Sequence, residues 1–425
     1  MKKMINPRRE EWEGILARPQ MRNADLEKIC KDIFSEIRKN GDQALRKYTW
    51  FFDRVQIDEF AVGEAEFYAA AKSVDDSLKK AIEEARRNIE AFHTLQKSGR
   101  LEYVNEKGFR CWQEARGIEK VGLYVPGGSA PLFSTVLMLA IPACIAGCKE
   151  IILCTPPDLS GQVNPVILWT ARLCGVSKVY KIGGVQAIGA MIFGTDSIPK
   201  VNKIFGPGNQ YVTAAKQLAC NYGVAIDMPA GPSEVMVVAD ASARPEFVAA
   251  DLLAQAEHGP DSQVILLTPV PSVLETVERE IRKQLECMPR REIVLKALQN
   301  SRLIALDSRA ECIEMVNEYA PEHLILCVDN YNGFAERVMN AGSVFLGNYS
   351  PESAGDYASG TNHTLPTNGY ARVYSGVNVD AFIKKITFQE ITPEGLQYLA
   401  PTIERMAENE QLAAHREAVA IRIRK

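Results

Sequence analysis

Two series of short aliphatic, β-branched runs, separated by helical segments, limit the fold of this chain more than any other feature. The first series lies at 121–125, 151–154, 178–182 and 203–205, and the second at 235–239, 264–267, 303–306 and 324–328. Short buried strands that alternate with helices are typical of parallel sheets covered on both faces. The chain is therefore expected to contain two similar α/β modules with a cleft between them.

The segments outside these series have a helical pattern. Up to about residue 117, apolar residues recur three or four positions apart, and the tail from about 376 is again helical and too short for a sheet domain. We therefore expect an N-terminal arm (1–20) and a first α/β domain made of two pieces (21–118 and 234–375). A second α/β domain (119–233) lies between these pieces, and a helical tail (376–425) follows them.

Composition and charge exclude several classes of protein. The chain has 425 residues, 46% of them hydrophobic, and a net charge of −4 with both signs interspersed, so we expect neither a nucleic-acid nor a membrane partner. The most apolar stretch, 131–147, is too short to span a bilayer, and the first residues lack the apolar core of a secretory signal. Ten cysteines without a CxxC pair are expected to be reduced thiols, and a cytoplasmic location follows.

Three strands of the first series end in glycine turns. The turns are Tyr124-Val-Pro-Gly-Gly-Ser129, Gly183-Gly-Val-Gln186 and Gly206-Pro-Gly-Asn209. In an open parallel sheet, ligands bind outside the carboxyl ends of the strands, where glycine allows close approach to the backbone. The turns predict a nucleotide or phosphate-bearing ligand, although glycines in such positions can also simply turn the chain. A G-x-G-x-x-G fingerprint and its ribose-binding acid are absent.

Four of the five histidines follow residue 257, each near a carboxylate, a carboxamide or a glycine turn. They occur in Gln255-x-x-His258, Glu322-His323, Asp356-x6-His363 and Glu410-x4-His415. Imidazole binds metals and titrates near neutrality, so the set predicts a metal site with an acid/base group beside it. For two of these motifs a structural alternative remains open: His258 can interact with a helix end, and the pair at 322–323 can be a solvated turn. The fifth, His93, is expected to be structural or on the surface.

Six strings in the chain resemble the histidinol dehydrogenase family, over about residues 10 to 420. They are Val121-Gly-Leu-Tyr-Val-Pro-Gly-Gly, Phe205-Gly-Pro-Gly-Asn, Asp227-Met-Pro-Ala-Gly-Pro-Ser-Glu, Gln255-Ala-Glu-His-Gly-Pro, Pro321-Glu-His-Leu and Ser353-Ala-Gly-Asp-Tyr-Ala-Ser-Gly-Thr-Asn-His. The resemblance implies oxidation of L-histidinol to L-histidine through L-histidinal with two NAD+, the last step of histidine biosynthesis. It also implies two incomplete Rossmann-like modules and a homodimer with shared active sites.

The resemblance implies a role for each of twelve residues. Those matching zinc ligands, with one zinc per subunit, are Gln255, His258, Asp356 and His415. The acid/base pair would be Glu322 and His323, with His323 as general base and Glu322 as water activator. The NAD contacts would be Tyr124, Gln186 and Asn209. The substrate contacts would be Ser233, His363 and Glu410, together with His323 and the four zinc ligands. A carboxamide ligand is unusual for zinc.

Three other functions stay open on the residues themselves. A zinc hydrolase would use the same ligands with Glu322 as base, but would leave the glycine turns without a role. A cysteine-dependent aldehyde dehydrogenase would use a thiol such as Cys111 or Cys148 as nucleophile. A non-enzymatic binding protein would not explain the histidine distribution. Manganese or cobalt could replace zinc in such a site.

Overall fold

The computed structural model describes residues 1–19, 23–127, 131–229 and 231–424. Gly128 and Ser129 of the first glycine turn, Ala230 of the Asp227 string and Lys425 lie outside the described residues. The strands are β1 (Lys2–Ile5), β2 (Leu101–Asn105), β3 (Phe109–Gly117), β4 (Lys120–Tyr124), β5 (Glu150–Thr155), β6 (Lys178–Lys181), β7 (Lys203–Phe205), β8 (Ala225–Ile226), β9 (Glu234–Ala239), β10 (Gln263–Thr268), β11 (Arg302–Ala305), β12 (His323–Cys327), β13 (Ser343–Leu346) and β14 (Ile383–Ile391). The helices are α1 (Trp12–Ile15), α2 (Asn23–Asn40), α3 (Asp42–Asp53), α4 (Glu64–Ser73), α5 (Asp76–Thr94), α6 (Phe133–Ala146), α7 (Pro165–Leu173), α8 (Gly184–Phe193), α9 (Gln210–Ala219), α10 (Pro245–Ala256), α11 (Pro271–Leu285), α12 (Arg291–Gln299), α13 (Arg309–Tyr319), α14 (Tyr331–Ala335), α15 (Glu352–Tyr357), α16 (Pro393–Asn409) and α17 (Ala413–Ile423).

The two predicted α/β modules are present and have the same strand order. One sheet runs β6-β5-β4-β7-β8, and the other runs β11-β10-β9-β12-β13 with β1 added beside β11. All neighbours in both sheets are parallel. The direction of the strand order reverses between β4 and β7 in one sheet and between β9 and β12 in the other. Such a reversal is the switch point of doubly wound folds. The expected pair of incomplete Rossmann-like modules is confirmed.

Helices cover both faces of each sheet, as expected for strands made of continuous aliphatic runs. On the five-stranded sheet, one core includes side chains of α2, α3, α8 and α9, and the other includes those of α5, α6 and α7. On the six-stranded sheet, α10, α11 and α12 pack on one face, while α13 and Trp12 pack on the other. His93 has a structural role, as the sequence predicts: its side chain is buried in α5, with Nδ1 2.8 Å from the Ile89 carbonyl oxygen.

The N-terminal helices pack on a different sheet from the one expected. The division placed 21–118 with 234–375, but α2 contacts α8 and α9 of the five-stranded module, and Phe34 and Ile37 join its core. Gly189 of α8 makes this contact possible, since a Cβ there would lie 2.6 Å from the Ile37 side chain. The apolar stripe of α2 predicts a buried face but cannot identify the sheet that covers it. The exact domain boundaries stay a prediction.

A third sheet was not expected from the sequence. Strands β2, β3 and β14 form an antiparallel sheet, so the helical interpretation is wrong for 101–117 and for the start of the tail. The long pairing of β3 with β14 includes Trp112 stacked on Phe388 with ring centroids 5.2 Å apart. Both strands carry many charged side chains, which hide the alternation of period two. The two C-terminal helices, α16 and α17, are where the sequence predicts helix.

Two further features concern the described residues as a whole. None of the helices there combines the length and the apolar character needed to cross a bilayer. All ten cysteines are present as free thiols.

The contact between α2 and the five-stranded module can be tested at Phe34. This ring is buried and lies edge-on to Phe193 and Tyr222, so Phe34→Ala should lower the free energy of unfolding by about 3–5 kcal/mol. The matched control is Phe51→Ala in α3, whose side chain is 59% exposed and should leave the stability within about 0.5 kcal/mol. Calorimetric melting of the variants measures both. Similar losses for the two variants would contradict this packing.

Candidate active site

The predicted acid/base pair, Glu322 and His323, lies at the amino ends of two adjacent central strands. β12 begins at His323, and β9, its parallel neighbour, begins at Glu234, with His323 opposite Val235. Glu322 and His323 are only 6% and 4% exposed, so the alternative of a solvated turn is wrong. Ala320, at the end of α13, has φ +52°, and this left-handed residue turns the chain toward β12.

Glu322 and His323 converge although they are neighbours at a strand end. The backbone N–H of Glu234 donates to Glu322 Oε2 at 2.9 Å, and the Glu234 carbonyl oxygen lies 3.3 Å from His323 Nδ1. The distance from His323 Nδ1 to Glu322 Oε2 is 3.6 Å. Gln255 Nε2 completes the group, 3.4 Å from Glu322 Oε2 and 3.3 Å from His323 Nδ1. The Glu234 peptide therefore holds both members of the pair.

The surroundings of His323 favour its protonated form. Burial alone would lower the pKa of this imidazole, but the negative charges of Glu352 and Glu322 outweigh it. Asp356 adds to the effect, with Oδ1 3.7 Å from His323 Nε2. The result is a pKa raised well above the usual value of histidine. The same carboxylates would stabilise an imidazolium formed during a reaction.

Three side chains beside this pair form a group that could hold a metal ion. Candidate ligand atoms of His258, Glu352 and Asp356 all lie within 4.8 Å of one another. Glu352 and Asp356 are one turn apart on α15 and share a face of that helix. His258 itself lies just outside α10, because the helix ends at Ala256 and His258 is exposed in the bend that follows.

The donor set fits a divalent cation of the zinc type. Gln255 is completely buried, and its Oε1 has no hydrogen-bond partner among the described residues, so a ligand is needed to satisfy it. Histidine nitrogen and carboxylate oxygen are normal zinc ligands, and a carboxamide oxygen can join them. His415 is not part of the group: it is exposed on α17, while Glu410 is exposed at the end of α16.

His363 links this site to the five-stranded module. Its Nδ1 lies 2.9 Å from the Asp356 carbonyl oxygen, and its Nε2 lies 3.2 Å from Thr135 Oγ1 on α6. Burial lowers the pKa of His363, which favours the neutral ring. Ser233, just before β9, is half-buried, and its carbonyl accepts from the Gln263 N–H at 3.2 Å. The predicted substrate residues 233 and 363 thus come from segments that border the acid/base group.

The glycine turns cluster at the carboxyl ends of β4, β6 and β7. Gly184 N–H donates to Tyr124 Oη at 3.0 Å, which joins the first two turns. Gly206 has φ +123°, and a Cβ there would lie 2.1 Å from the Tyr124 carbonyl oxygen. Asn209 caps α9, since its Oδ1 accepts from Tyr211 N at 3.0 Å and Val212 N at 3.1 Å. Because β4 and β7 flank the switch point, this is the edge where doubly wound sheets bind nucleotides.

Two acidic residues near these groups were missed by the sequence analysis. Asp53, at the end of α3, accepts from Gln186 Nε2 at 3.4 Å, and burial raises its pKa to about 6. Glu352 lies in the metal-type group, and burial together with neighbouring carboxylates raises its pKa to about 8. The spacing of four between Glu352 and Asp356 was a visible signal for one of them. Nothing in the sequence around Asp53 indicates its position.

Fold and site together define a class of α/β enzyme. A buried glutamate–histidine pair lies beside a set of metal-binding donor atoms, and glycine turns of the nucleotide-binding type lie at the carboxyl ends of strands in the five-stranded sheet. Comparison with known proteins narrows this class. The family model described as histidinol dehydrogenase matches residues 16–423. The chain belongs to the histidinol dehydrogenase family, and it is therefore an oxidoreductase; the resemblance carried by the six strings is confirmed.

Individual members of the family are similar to this chain over nearly all of its length. A histidinol dehydrogenase of Bacteroides thetaiotaomicron is 57% identical over 423 residues, covering 100% of this chain and 99% of the relative. A histidinol dehydrogenase of Escherichia coli is 49% identical over 417 residues, covering 97% of this chain and 95% of the relative. A crystal structure of histidinol dehydrogenase from Elizabethkingia anophelis superposes with a TM-score of 0.97 at 57% identity and covers 100% of this chain and 98% of that one.

Proposed function

We propose that this chain oxidises L-histidinol to L-histidine through L-histidinal with two NAD+, as the last step of histidine biosynthesis. The observation that carries the proposal is the convergence of the buried Glu322 and His323 on the metal-type donors of Gln255, His258 and Asp356, in a chain of this family. The cytoplasmic location expected from the sequence stays a prediction.

One zinc ion per subunit would be held by Gln255, His258 and Asp356, with His415 contributed by a second copy of the chain. When bound, zinc supplies a positive centre that binds and orients the imidazole and amine of histidinol. The unpartnered Gln255 Oε1 and the 4.8 Å grouping of His258 with Asp356 support these assignments. Tyr124, Gln186 and Asn209, at the glycine edge, are proposed as the NAD contacts.

His323 is placed to act as the general base. Its Nδ1 faces the Glu234 carbonyl and Glu322, while its Nε2 has no hydrogen-bond partner among the described residues. A bound cation would offset the neighbouring carboxylates and leave this ring neutral. In the proposed first step Nε2 then accepts the hydroxyl proton of histidinol while hydride passes from the alcohol carbon to NAD+. The carboxylates that raise the pKa of His323 then stabilise the imidazolium. Ser233 and His363 would contact the substrate.

Glu322 is placed to activate water in the second half of the reaction. The Glu234 N–H fixes its Oε2, so the carboxylate has a defined orientation beside His323. In the proposed step Glu322 accepts a proton from water as the oxygen adds to the aldehyde carbon. The His323 imidazolium formed in the first step returns its proton to the former carbonyl oxygen, which completes the hydrate. His323 then serves again as base while hydride passes from the hydrate carbon to the second NAD+, and the resulting carboxylic acid ionises to the carboxylate of histidine.

Surface chemistry of the described residues supports a homodimer with shared sites. The helices that carry Glu410 and His415 also expose large apolar side chains, and so does the antiparallel sheet. These side chains are Leu101, Tyr103, Val104, Tyr398, Met406, Leu412 and Ile421, each between 41% and 68% exposed. Apolar side chains exposed together on neighbouring elements are typical of subunit interfaces. In the proposed dimer, each chain would contribute its Glu410 and His415 to the site of the other.

The other candidate functions account for less of the geometry. A hydrolase leaves the glycine edge without a ligand. Cys148 is a poor nucleophile, because burial raises its pKa to about 11 and its thiol contacts the Phe382 carbonyl at 3.7 Å. Cys111 is exposed on β3 in the antiparallel sheet, apart from both parallel-sheet edges.

A spectrophotometric assay tests the proposed reaction. With histidinol and NAD+ in excess, the ultraviolet absorbance of NADH should rise, and two NADH should form per histidine. Treatment with a chelator should abolish the activity, and added Zn²⁺ should restore it, because the substrate loses its binding centre with the metal. A hydrolase or a binding protein would produce no NADH. Activity that survives complete removal of the metal would contradict the zinc assignment.

The division of labour between the two catalytic residues predicts a selective effect of Glu322→Gln. This variant should slow oxidation of histidinal by about 10² to 10⁴-fold and oxidation of histidinol much less, because only the aldehyde step needs activated water. Single-turnover measurements starting from each substrate separate the two steps. Glu336→Gln, at an exposed glutamate, is the control and should change neither. Equal losses in both half-reactions would disprove the division.

Shared active sites can be tested by mixing two inactive variants. His323→Ala removes the base, and His415→Ala removes the ligand proposed to come from the other chain. A refolded equal mixture contains heterodimers in which one site carries both defects and the other is intact, so about a quarter of wild-type activity should return. Each variant refolded alone is the control. If all site residues came from one chain, the mixture would stay inactive.

A further inference from the structure

Glu352 lies inside the candidate metal group, and none of the roles implied by the family resemblance falls on it. It is the first residue of α15, is only 1% exposed, and shares a helix face with Asp356. A carboxylate oxygen of Glu352 lies within 4.8 Å of the candidate ligand atoms of both His258 and Asp356. This arrangement is closed from solvent on the Glu352 side and more open at His258.

One oxygen of the Glu352 carboxylate lacks a hydrogen-bond partner among the described residues. Its Oε2 is buried and accepts no hydrogen bond there, and neither does Gln255 Oε1. A buried carboxylate oxygen without a donor or a cation is unfavourable by several kcal/mol, so such an oxygen indicates a ligand that satisfies it. Two unsatisfied acceptor oxygens beside a histidine nitrogen and a second carboxylate are the ligand chemistry of a divalent cation.

Charge balance leads to the same conclusion. Gln255 and neutral His258 bring no negative charge, so Asp356 alone would leave a buried divalent cation with a net charge of about +1. A second carboxylate at Glu352 brings the centre to neutrality. Glu322 is less suited to this task, because its Oε2 already accepts from the Glu234 N–H.

We propose that Glu352 is a further residue of the divalent-cation site, where its negative charge holds the cation together with Asp356. The inference rests on the proposed function, since it concerns the same metal. It adds a second carboxylate to the set of ligands that the family resemblance implies.

The test compares metal affinity in the full-length protein. Glu352→Gln keeps the shape of the side chain and removes its charge. The dissociation constant for Zn²⁺, measured by competition with a chromophoric chelator, should rise about 10 to 100-fold. The metal-induced rise in melting temperature at fixed Zn²⁺ should shrink accordingly. Neither readout depends on turnover of the enzyme.

Asp251→Asn is the matched control. Asp251 is another buried carboxylate, on α10, and burial raises its pKa to about 7, but it does not belong to the metal-type group. Its variant should bind Zn²⁺ as tightly as the wild type. An equal loss in Asp251→Asn would show that Glu352 is no more than one of several nearby charges, and would overturn the inference.

The remaining outcomes are separable. A folded Glu352→Gln protein with wild-type affinity for Zn²⁺ overturns the inference and leaves the proposed function intact. If the wild type itself binds no Zn²⁺, the metal assignment of the proposed function fails instead. Should Glu352→Gln not fold, Glu352→Ala decides: it removes the carboxylate and its charge altogether, and an unchanged affinity for Zn²⁺ in that variant would overturn the inference as well.

Discussion

The parallel pairing of β9 with β12 is the interaction on which the candidate active site depends. It brings the peptide of Glu234 next to Glu322 and His323, so that one N–H and one carbonyl hold the carboxylate and the imidazole. The Glu234 side chain is itself buried and accepts from both the Arg18 guanidinium and the Tyr319 hydroxyl. Arg18 also stacks on the Tyr319 ring, 3.9 Å from its centroid. The N-terminal arm therefore takes part in positioning the acid/base pair.

Buried carboxylates determine the electrostatics around His323. Glu322, Glu352 and Asp356 surround one imidazole, and without a cation their charges are balanced by protonation, as the raised pKa values of His323 and Glu352 show. A divalent ion would relieve the same repulsion. The pocket thus has two ways to reach neutrality, and the proposed chemistry uses both: a cation to hold the substrate and a histidine to accept a proton.

The two modules share a strand order, but their predicted functional groups lie at opposite ends of the strands. The glycine turns lie at the carboxyl ends of β4, β6 and β7, whereas the acid/base pair lies at the amino ends of β9 and β12. The contacts of His363 with Thr135 and of Asn362 with the Met138 carbonyl join the two regions. The two modules therefore share a strand order but not the position of their predicted functional residues, which lie at the carboxyl ends of strands in one sheet and at the amino ends in the other.

The sequence by itself determines the features that depend on local residue patterns or on short family-specific strings of residues. Aliphatic runs between helices are enough for the two parallel sheets, because a strand buried on both faces has to be apolar throughout. Histidines beside acids indicate the chemistry, and the six strings identify the family. Tertiary structure alone decides which distant groups meet. The packing of α2 on α8, the pairing of β3 with β14, and the position of Asp53 beside Gln186 all depend on contacts between segments far apart in the chain. Such contacts leave no period in the sequence, since they are fixed by the shapes of surfaces that exist only once the helices and sheets have assembled.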